Sequence, residues 1–258
     1  MVNSDLSKIF LRLVDVMAEL REKCPWDKKQ DFSSLRHLTI EETFELSEAI
    51  LNENPEEIKA ELGDVLLHIV FYARLAEEKK WFTMHDVIQH LIAKLIRRHP
   101  HIYGDEIAND EDAVKQNWER IKLAEKNPNN KVGLLQGVPK ALPSIVKAYR
   151  MQEKAAQVGF DWNNKEDVWA KVKEELLEFE QAKTSNERKE EFGDLMFSLI
   201  NFARFEKINP DDALESTNKK FKKRFEFIET QAAKENKALK NLSLAEMDIW
   251  WNAAKNES

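Results

Sequence analysis

Between Lys171 and Asp194 the chain reads KVKEELLEFEQAKTSNERKEEFGD, with two acidic pairs spaced i, i+3: Glu175 with Glu178, and Glu191 with Asp194. On a helix that spacing sets both carboxylates on adjoining turns of one side, about 5–6 Å apart at their Cβ atoms. Val168, Val172, Leu176 and Phe179 recur at three- and four-residue intervals and predict a buried stripe with Glu175 on its edge. Phe192, Leu195, Met196, Leu199 and Ala203 predict a second stripe. The polar turn around Thr184, Ser185 and Asn186 is short, so the two helices are antiparallel neighbours and their carboxylate pairs face one another across the seam. Like charges beside apolar surface are costly unless neutralised. A hard divalent cation suits them: magnesium takes oxygen ligands in octahedral geometry and shares its remaining positions with substrate phosphates, and manganese is the alternative ion. Gly193 lies between Glu191 and Asp194. Because mid-helix glycine costs about 1 kcal/mol against alanine, its placement predicts close approach of another backbone or a ligand. A lone ExxE is more often a solvated acidic face. Two such pairs at stripe edges weaken that explanation.

The elements that position these groups are helices. The chain has 258 residues, 42% hydrophobic and 34% charged, with only 6 Gly and 7 Pro, so strands and tight hairpins have little raw material. The expected class is all-α. One cysteine, Cys24, excludes an intramolecular disulfide and a CxxC zinc site, and suits a reducing compartment. MVNSDLSKIF carries no basic segment followed by an apolar core, and no apolar run reaches a membrane span, so the expectation is a soluble cytoplasmic protein without membrane contact. A net charge of −7 argues against binding duplex nucleic acid, whereas a small polyphosphate needs only a few placed cations and a metal.

Along the chain, a first amphipathic helix spans roughly 6–20, and CPWDKKQDF precedes a helix over about 34–51 that holds Glu41, Glu42 and Glu45. The next helix carries Glu61, Gly63 and Asp64 ahead of VLLHIVFYARLA. A helix from about Met84 to His99 presents Lys94 and Arg98 on one face, and a later one presents Trp118 and Lys122. KNPNNK, Lys126–Lys131, is the most loop-like interior run and marks a boundary: an N-terminal helical domain over 1–126, a linker over 127–137, and a C-terminal domain over 138–258. Beyond it the order returns. A helix near 144–156 matches the first, and VGFDW at Val158–Trp162 stands where CPWD stood. Glu174, Glu175 and Glu178 match Glu41, Glu42 and Glu45; Glu191, Gly193 and Asp194 match Glu61, Gly63 and Asp64. Lys220 with Arg224 matches Lys94 with Arg98, and Trp251 with Lys255 matches Trp118 with Lys122. Five elements in one order mark a tandem duplication, in which specific charges recur as well as hydrophobicity.

Duplicated EExxE followed by ExxD, with RRHPHIYGD at Arg97–Asp105 and VGFDW, resembles the MazG nucleoside triphosphate pyrophosphohydrolases of the all-α NTP pyrophosphatase superfamily. The resemblance spans nearly the whole chain. It implies tandem helical-bundle domains, a homodimer, and magnesium-dependent hydrolysis of a nucleoside triphosphate to the monophosphate and pyrophosphate, in cleansing or control of nucleotide pools. It makes Glu175, Glu178, Glu191 and Asp194 the catalytic metal ligands, with Glu42, Glu45, Glu61 and Asp64 as a second candidate site. Lys171, Glu174, Glu190, Lys220, Arg224, Trp251 and Lys255 become nucleotide contacts, with Lys94, Arg98, Trp118 and Lys122 as N-terminal counterparts. Independently of the resemblance, Lys220 and Arg224 share a helix face and offer a point charge and a planar fork to phosphate oxygens, and Trp251 offers a surface for a base. A solvated basic run and a core tryptophan are the ordinary alternatives.

The copies differ. Lys171 precedes Glu175 by four residues, but Leu38 holds that place before Glu42, so the C-terminal copy is expected to be the main catalyst. His68, four residues after Asp64, has Ser198 as its counterpart; a lone histidine on an apolar helix is more often a satisfied core residue than a ligand. A di-iron bundle would need Glu-x-x-His on two helices, which neither copy supplies. The remaining rival is a non-catalytic helical scaffold whose acidic grooves bind partner helices.

Overall fold

A computed structural model describes residues 4–107, 110–126 and 133–255. These residues are helical throughout their regular structure, with no strand among them, and fall into two compact units, Met1–Glu119 and Arg120–Ser258. The loop Lys126–Lys131, expected as the domain boundary, lies apart from its first residue outside the described residues, as does the first half of the expected linker.

In the N-terminal unit, α1 (Ser4–Lys23), α2 (Phe32–Leu51), α3 (Pro55–Glu78), α4 (Met84–Arg98) and the single turn α5 (Pro100–Tyr103) precede α6 (Glu111–Lys126), which crosses the division. Asp31 starts α2 with a reciprocal cap: its carboxylate accepts from Ser34 N at 2.8 Å while Ser34 Oγ accepts from Asp31 N at 2.8 Å. Asn54 caps α3, and Pro55 takes the first-turn place where its missing N–H is harmless. Met17, Leu35, Val70, Phe71 and Leu75 form the buried core, so α1, α2 and α3 share one apolar interior.

The C-terminal unit repeats the plan with α7 (Ser144–Ala156), α8 (Lys165–Gln181), α9 (Ser185–Phe205), α10 (Pro210–Lys234) and α11 (Leu244–Ala254). Thr184 and Glu187 form the reciprocal cap that starts α9 only four residues after α8 ends: Glu187 N donates to Thr184 Oγ1 at 3.2 Å, and Glu187 Oε2 accepts from Thr184 N at 3.0 Å and Lys183 N at 2.8 Å. Aromatic pairs pin the hairpin at both ends, Phe179 on Phe192 at 5.8 Å and Trp169 on Phe202 at 4.7 Å between ring centroids.

Two details of the expected stripes are corrected. Val168 and Val172 are buried, but Leu176 is 44% exposed and Glu175 only 7%, so the carboxylate faces inward and the leucine outward. On α9 it is Ser198 and Ile200 that are buried, while Phe192 and Leu199 are exposed at 52% and 40%. Spacing alone placed the stripes about one position out of phase, because helices apolar on two sides leave the inward side undetermined. At Gly193 no other backbone of this chain comes close: beyond its chain neighbours and its own helix backbone, a Cβ there would meet nothing within 4 Å, and the same holds for its counterpart Gly63.

Candidate active site

The α8–α9 hairpin brings Glu175, Glu178 and Glu191 together, each with a carboxylate oxygen within 4.8 Å of the others'. Asp194 joins from the next turn of α9, lining with Lys171, Glu175 and Ser198 a small cavity of about 190 Å³. Lys171 crosses one turn of α8, its Nζ 2.8 Å from Glu174 Oε1 and 2.7 Å from Glu175 Oε1. Those hydrogen bonds, Glu174's first and then Glu175's, hold its ammonium well above the usual lysine range. Glu191 titrates above the usual carboxylate range, chiefly through burial and then through the charges of Glu178, Asp194 and Glu175. Among the described residues neither Glu178 nor Glu191 has an ion-pair partner, so the cluster carries more negative charge than the protein neutralises. Glu190 is exposed beside Glu191.

The N-terminal unit builds the same arrangement from α2 and α3. Glu42, Glu45 and Glu61 offer oxygens that also lie within 4.8 Å of one another. Burial, followed by Asp64, Glu45 and Glu61, raises the Glu42 carboxyl; burial, followed by Glu45 and Asp64, raises that of Glu61. Glu61 Oε2 is buried without a hydrogen-bond partner. His68 is buried on the adjoining turn, and burial lowers its imidazole below the ordinary histidine range. Sets of closely spaced hard oxygens, one of them orphaned and buried, fit a divalent cation with the ligand preferences of magnesium or manganese.

The expected nucleotide contacts are only partly gathered here. Arg224 lies over the Trp251 ring at 5.5 Å, and in the N-terminal unit Arg98 lies over Trp118 at 5.3 Å. The same cation–π pair thus recurs in both copies, as the sequence repeat predicts. Lys220 is exposed on α10, Lys255 donates to Asn252 Oδ1 at 2.8 Å at the end of α11, and neither they nor Arg224 make an ion pair with the α8–α9 carboxylates. Lys94 and Lys122 are half-buried on α4 and α6.

Four residues without an assigned role stand at the site: Trp162, Phe197, Ser198 and Asn201 line the carboxylate cavity. Trp162, Phe197 and Asn201 also line a larger, mainly apolar cavity of about 600 Å³ alongside, together with Met151 and Phe160. Arg204 fixes its entrance loop, donating to Asp161 Oδ2 at 3.0 Å and to Asn201 Oδ1 at 2.9 Å. The signal for this pocket was the run VGFDW, whose exposed aromatic residues follow the end of α7.

A family model described as the MazG nucleotide pyrophosphohydrolase domain matches residues 30–103, which contain the N-terminal carboxylate set. Over 249 residues, 96% of both chains, this chain is 44% identical to the nucleoside triphosphate pyrophosphohydrolase/pyrophosphatase MazG of Thermotoga maritima. It is 35% identical over 254 residues to the nucleoside triphosphate pyrophosphohydrolase of Escherichia coli K12, covering 95% of this chain and 97% of the relative. It is also 47% identical over 246 residues to the uncharacterized protein YabN of Bacillus subtilis, covering 93% of this chain and 50% of that longer protein.

Proposed function

The chain belongs to the MazG nucleotide pyrophosphohydrolase family, and from that premise we propose that its α8–α9 hairpin is a magnesium-dependent centre cleaving the α–β phosphoanhydride of nucleoside triphosphates. Membership makes it a hydrolase of nucleoside triphosphates. The observation that carries the proposal is the cluster itself: three carboxylates within 4.8 Å, built once by α8 and α9 and again by α2 and α3. In a non-catalytic scaffold such mutual repulsion would be a cost without return.

Glu175, Glu178, Glu191 and Asp194 would hold the ion, which when bound draws charge from the phosphate oxygens and acidifies bound water. The chain's own part follows from its geometry. Lys171 neutralises and orients Glu175, while Glu178 and Glu191, without cationic partners, position the attacking water, and one of the two carboxylates accepts its proton. The water oxygen bonds to the α-phosphorus as the bond from that phosphorus to the bridging oxygen breaks, and pyrophosphate leaves. Trp162, Phe197 and Asn201 extend the site into the larger cavity, which has the size and lining for a nucleobase. Arg224 and Lys220, with Trp251 and Lys255, supply further nucleotide contacts from α10 and α11. The exposed apolar side chains of the hairpin, Leu176, Leu177, Phe192 and Leu199, support assembly as a homodimer, and the free Cys24 suits a cytoplasmic setting. The role is cleansing or control of nucleotide pools.

Hydrolysis in ¹⁸O-water tests the bond assignment. Label in the nucleoside monophosphate supports attack at the α-phosphorus; label in the pyrophosphate overturns it.

A further inference from the structure

In the N-terminal unit three groups converge on Thr39 Oγ1: Leu35 O at 3.0 Å, His68 Nδ1 at 2.8 Å and Tyr72 Oη at 2.7 Å. A hydroxyl has one proton and two lone pairs, and a carbonyl can only accept. Only one arrangement makes all three contacts hydrogen bonds. Thr39 donates to Leu35, and both the Tyr72 hydroxyl and the His68 Nδ1–H donate to Thr39. The tautomer is thereby fixed, and Nε2 presents a bare lone pair.

His68 is only 6% exposed, and among the described residues its Nε2 has no hydrogen-bond partner. Glu42 Oε1 lies 4.0 Å from it. Two electron-pair donors therefore face one another across a gap too wide for a hydrogen bond. Ligand atoms held about 2.1 Å from one octahedral ion stand about 3 Å apart when adjacent and about 4.2 Å when opposite. At 4.0 Å the two atoms stand close to the separation of opposite ligands on one ion.

The C-terminal copy differs at two of the corresponding positions. There Lys171 and Ser198 line one cavity with Glu175 and Asp194, and the ammonium lies 2.7 Å from Glu175. In the N-terminal copy Leu38 replaces the lysine and packs against the core, while His68 replaces the serine. An internal cation has been lost at one position and an imidazole gained at another.

We propose that Glu42 and His68 Nε2 form the core of a mixed nitrogen–oxygen site that prefers a divalent transition ion to magnesium, with Glu42 shared with the neighbouring oxygens of Glu45 and Glu61. The two copies then differ in metal, magnesium at the all-oxygen C-terminal cluster and a borderline ion at the N-terminal one. This rests on the N-terminal carboxylates being a cation site at all.

The test uses the full chain carrying Glu191→Gln, which disables the C-terminal cluster, with and without His68→Asn or His68→Ala. Binding of cobalt(II) and of magnesium is measured by calorimetry, and manganese(II) coordination by pulsed EPR. The expected result is ¹⁴N modulation from one imidazole in the parent, its loss in either histidine variant, and cobalt affinity reduced about 10-fold or more with magnesium affinity changed less than about twofold. The asparagine variant keeps a side-chain donor for Thr39 should the alanine variant fail to fold. Ion binding without ¹⁴N modulation in the parent, or cobalt affinity unchanged by the substitution, overturns the histidine ligand. No binding of any divalent ion to the Glu191→Gln chain overturns it one level deeper, by removing the N-terminal cation site itself.

Discussion

Lys171 Nζ lies 2.7 Å from Glu175 Oε1, so the most buried carboxylate of the C-terminal cluster is the one that the protein neutralises itself. Among the described residues Glu178 and Glu191 are left without an ion-pair partner, and the N-terminal copy, with Leu38 in the corresponding place, has no lysine or arginine paired with its carboxylate set. That difference separates the two copies chemically.

Replacing Lys171 by leucine copies the N-terminal arrangement into the C-terminal site. Glu175 would stay buried without its partner. Because Lys171 is about a third exposed, the expected loss without added cation is modest, about 1–2 kcal/mol in denaturant unfolding. Magnesium should recover most of it, since the ion takes over the neutralising role, and kcat/KM for a nucleoside triphosphate should fall about 10-fold or more.

Glu191→Gln removes a carboxyl that burial, and then the charges of Glu178, Asp194 and Glu175, push up. Without metal, the variant should melt at or above the wild-type temperature at neutral pH. Its magnesium-induced shift attributable to the C-terminal cluster should disappear. A thermal melt with and without magnesium reads both, because a ligand specific to the folded state raises the midpoint.

Glu187 accepts two backbone N–H bonds, from Thr184 first and Lys183 second, which hold its carboxyl below the usual range. A depressed folded pKa contributes stability that is fully present above the unfolded value and is lost as pH falls through the folded one. Wild-type stability should therefore decline in acid, below the ordinary carboxylate pKa of about 4.3. Glu187→Gln should flatten that limb in a pH series of urea melts, and Thr184→Ala, which deletes the other half of the cap, should cost about 1 kcal/mol throughout.

Trp162 lines both the carboxylate cavity and the larger apolar one. Trp162→Ala should raise KM about 10-fold or more while lowering kcat less, as expected for a surface that binds the part of the substrate remote from the reacting phosphorus. Steady-state kinetics on one nucleotide separates the two parameters.

Much of this was legible in the chain because charge spacing survives translation into helices. Glu175, Glu178 and Glu191 converge as their i, i+3 pairing and short turn implied, and the Arg224–Trp251 pair has its twin in Arg98–Trp118. Helix phase was less legible. Leu176 and Glu175 exchange their expected faces, since α8 is apolar on more than one side and only packing selects the inward one. Of the pocket beside Trp162 only the run VGFDW was legible; the rest was not, because it is assembled from α7, the loop after it and α9, whose residues are far apart in sequence. His68 read as a core histidine and is buried as such, yet the three contacts to Thr39 that orient its second nitrogen come from α2 and α3 together.

The central claim is that the α8–α9 carboxylates hold the ion that hydrolysis requires. Magnesium-dependent pyrophosphate release by the full chain carrying Glu175→Gln and Glu191→Gln together, with helical content checked by circular dichroism, tests it most directly. The expected result is a fall of about 100-fold or more in a chain that is still folded. Release near the wild-type rate from that double variant would contradict it.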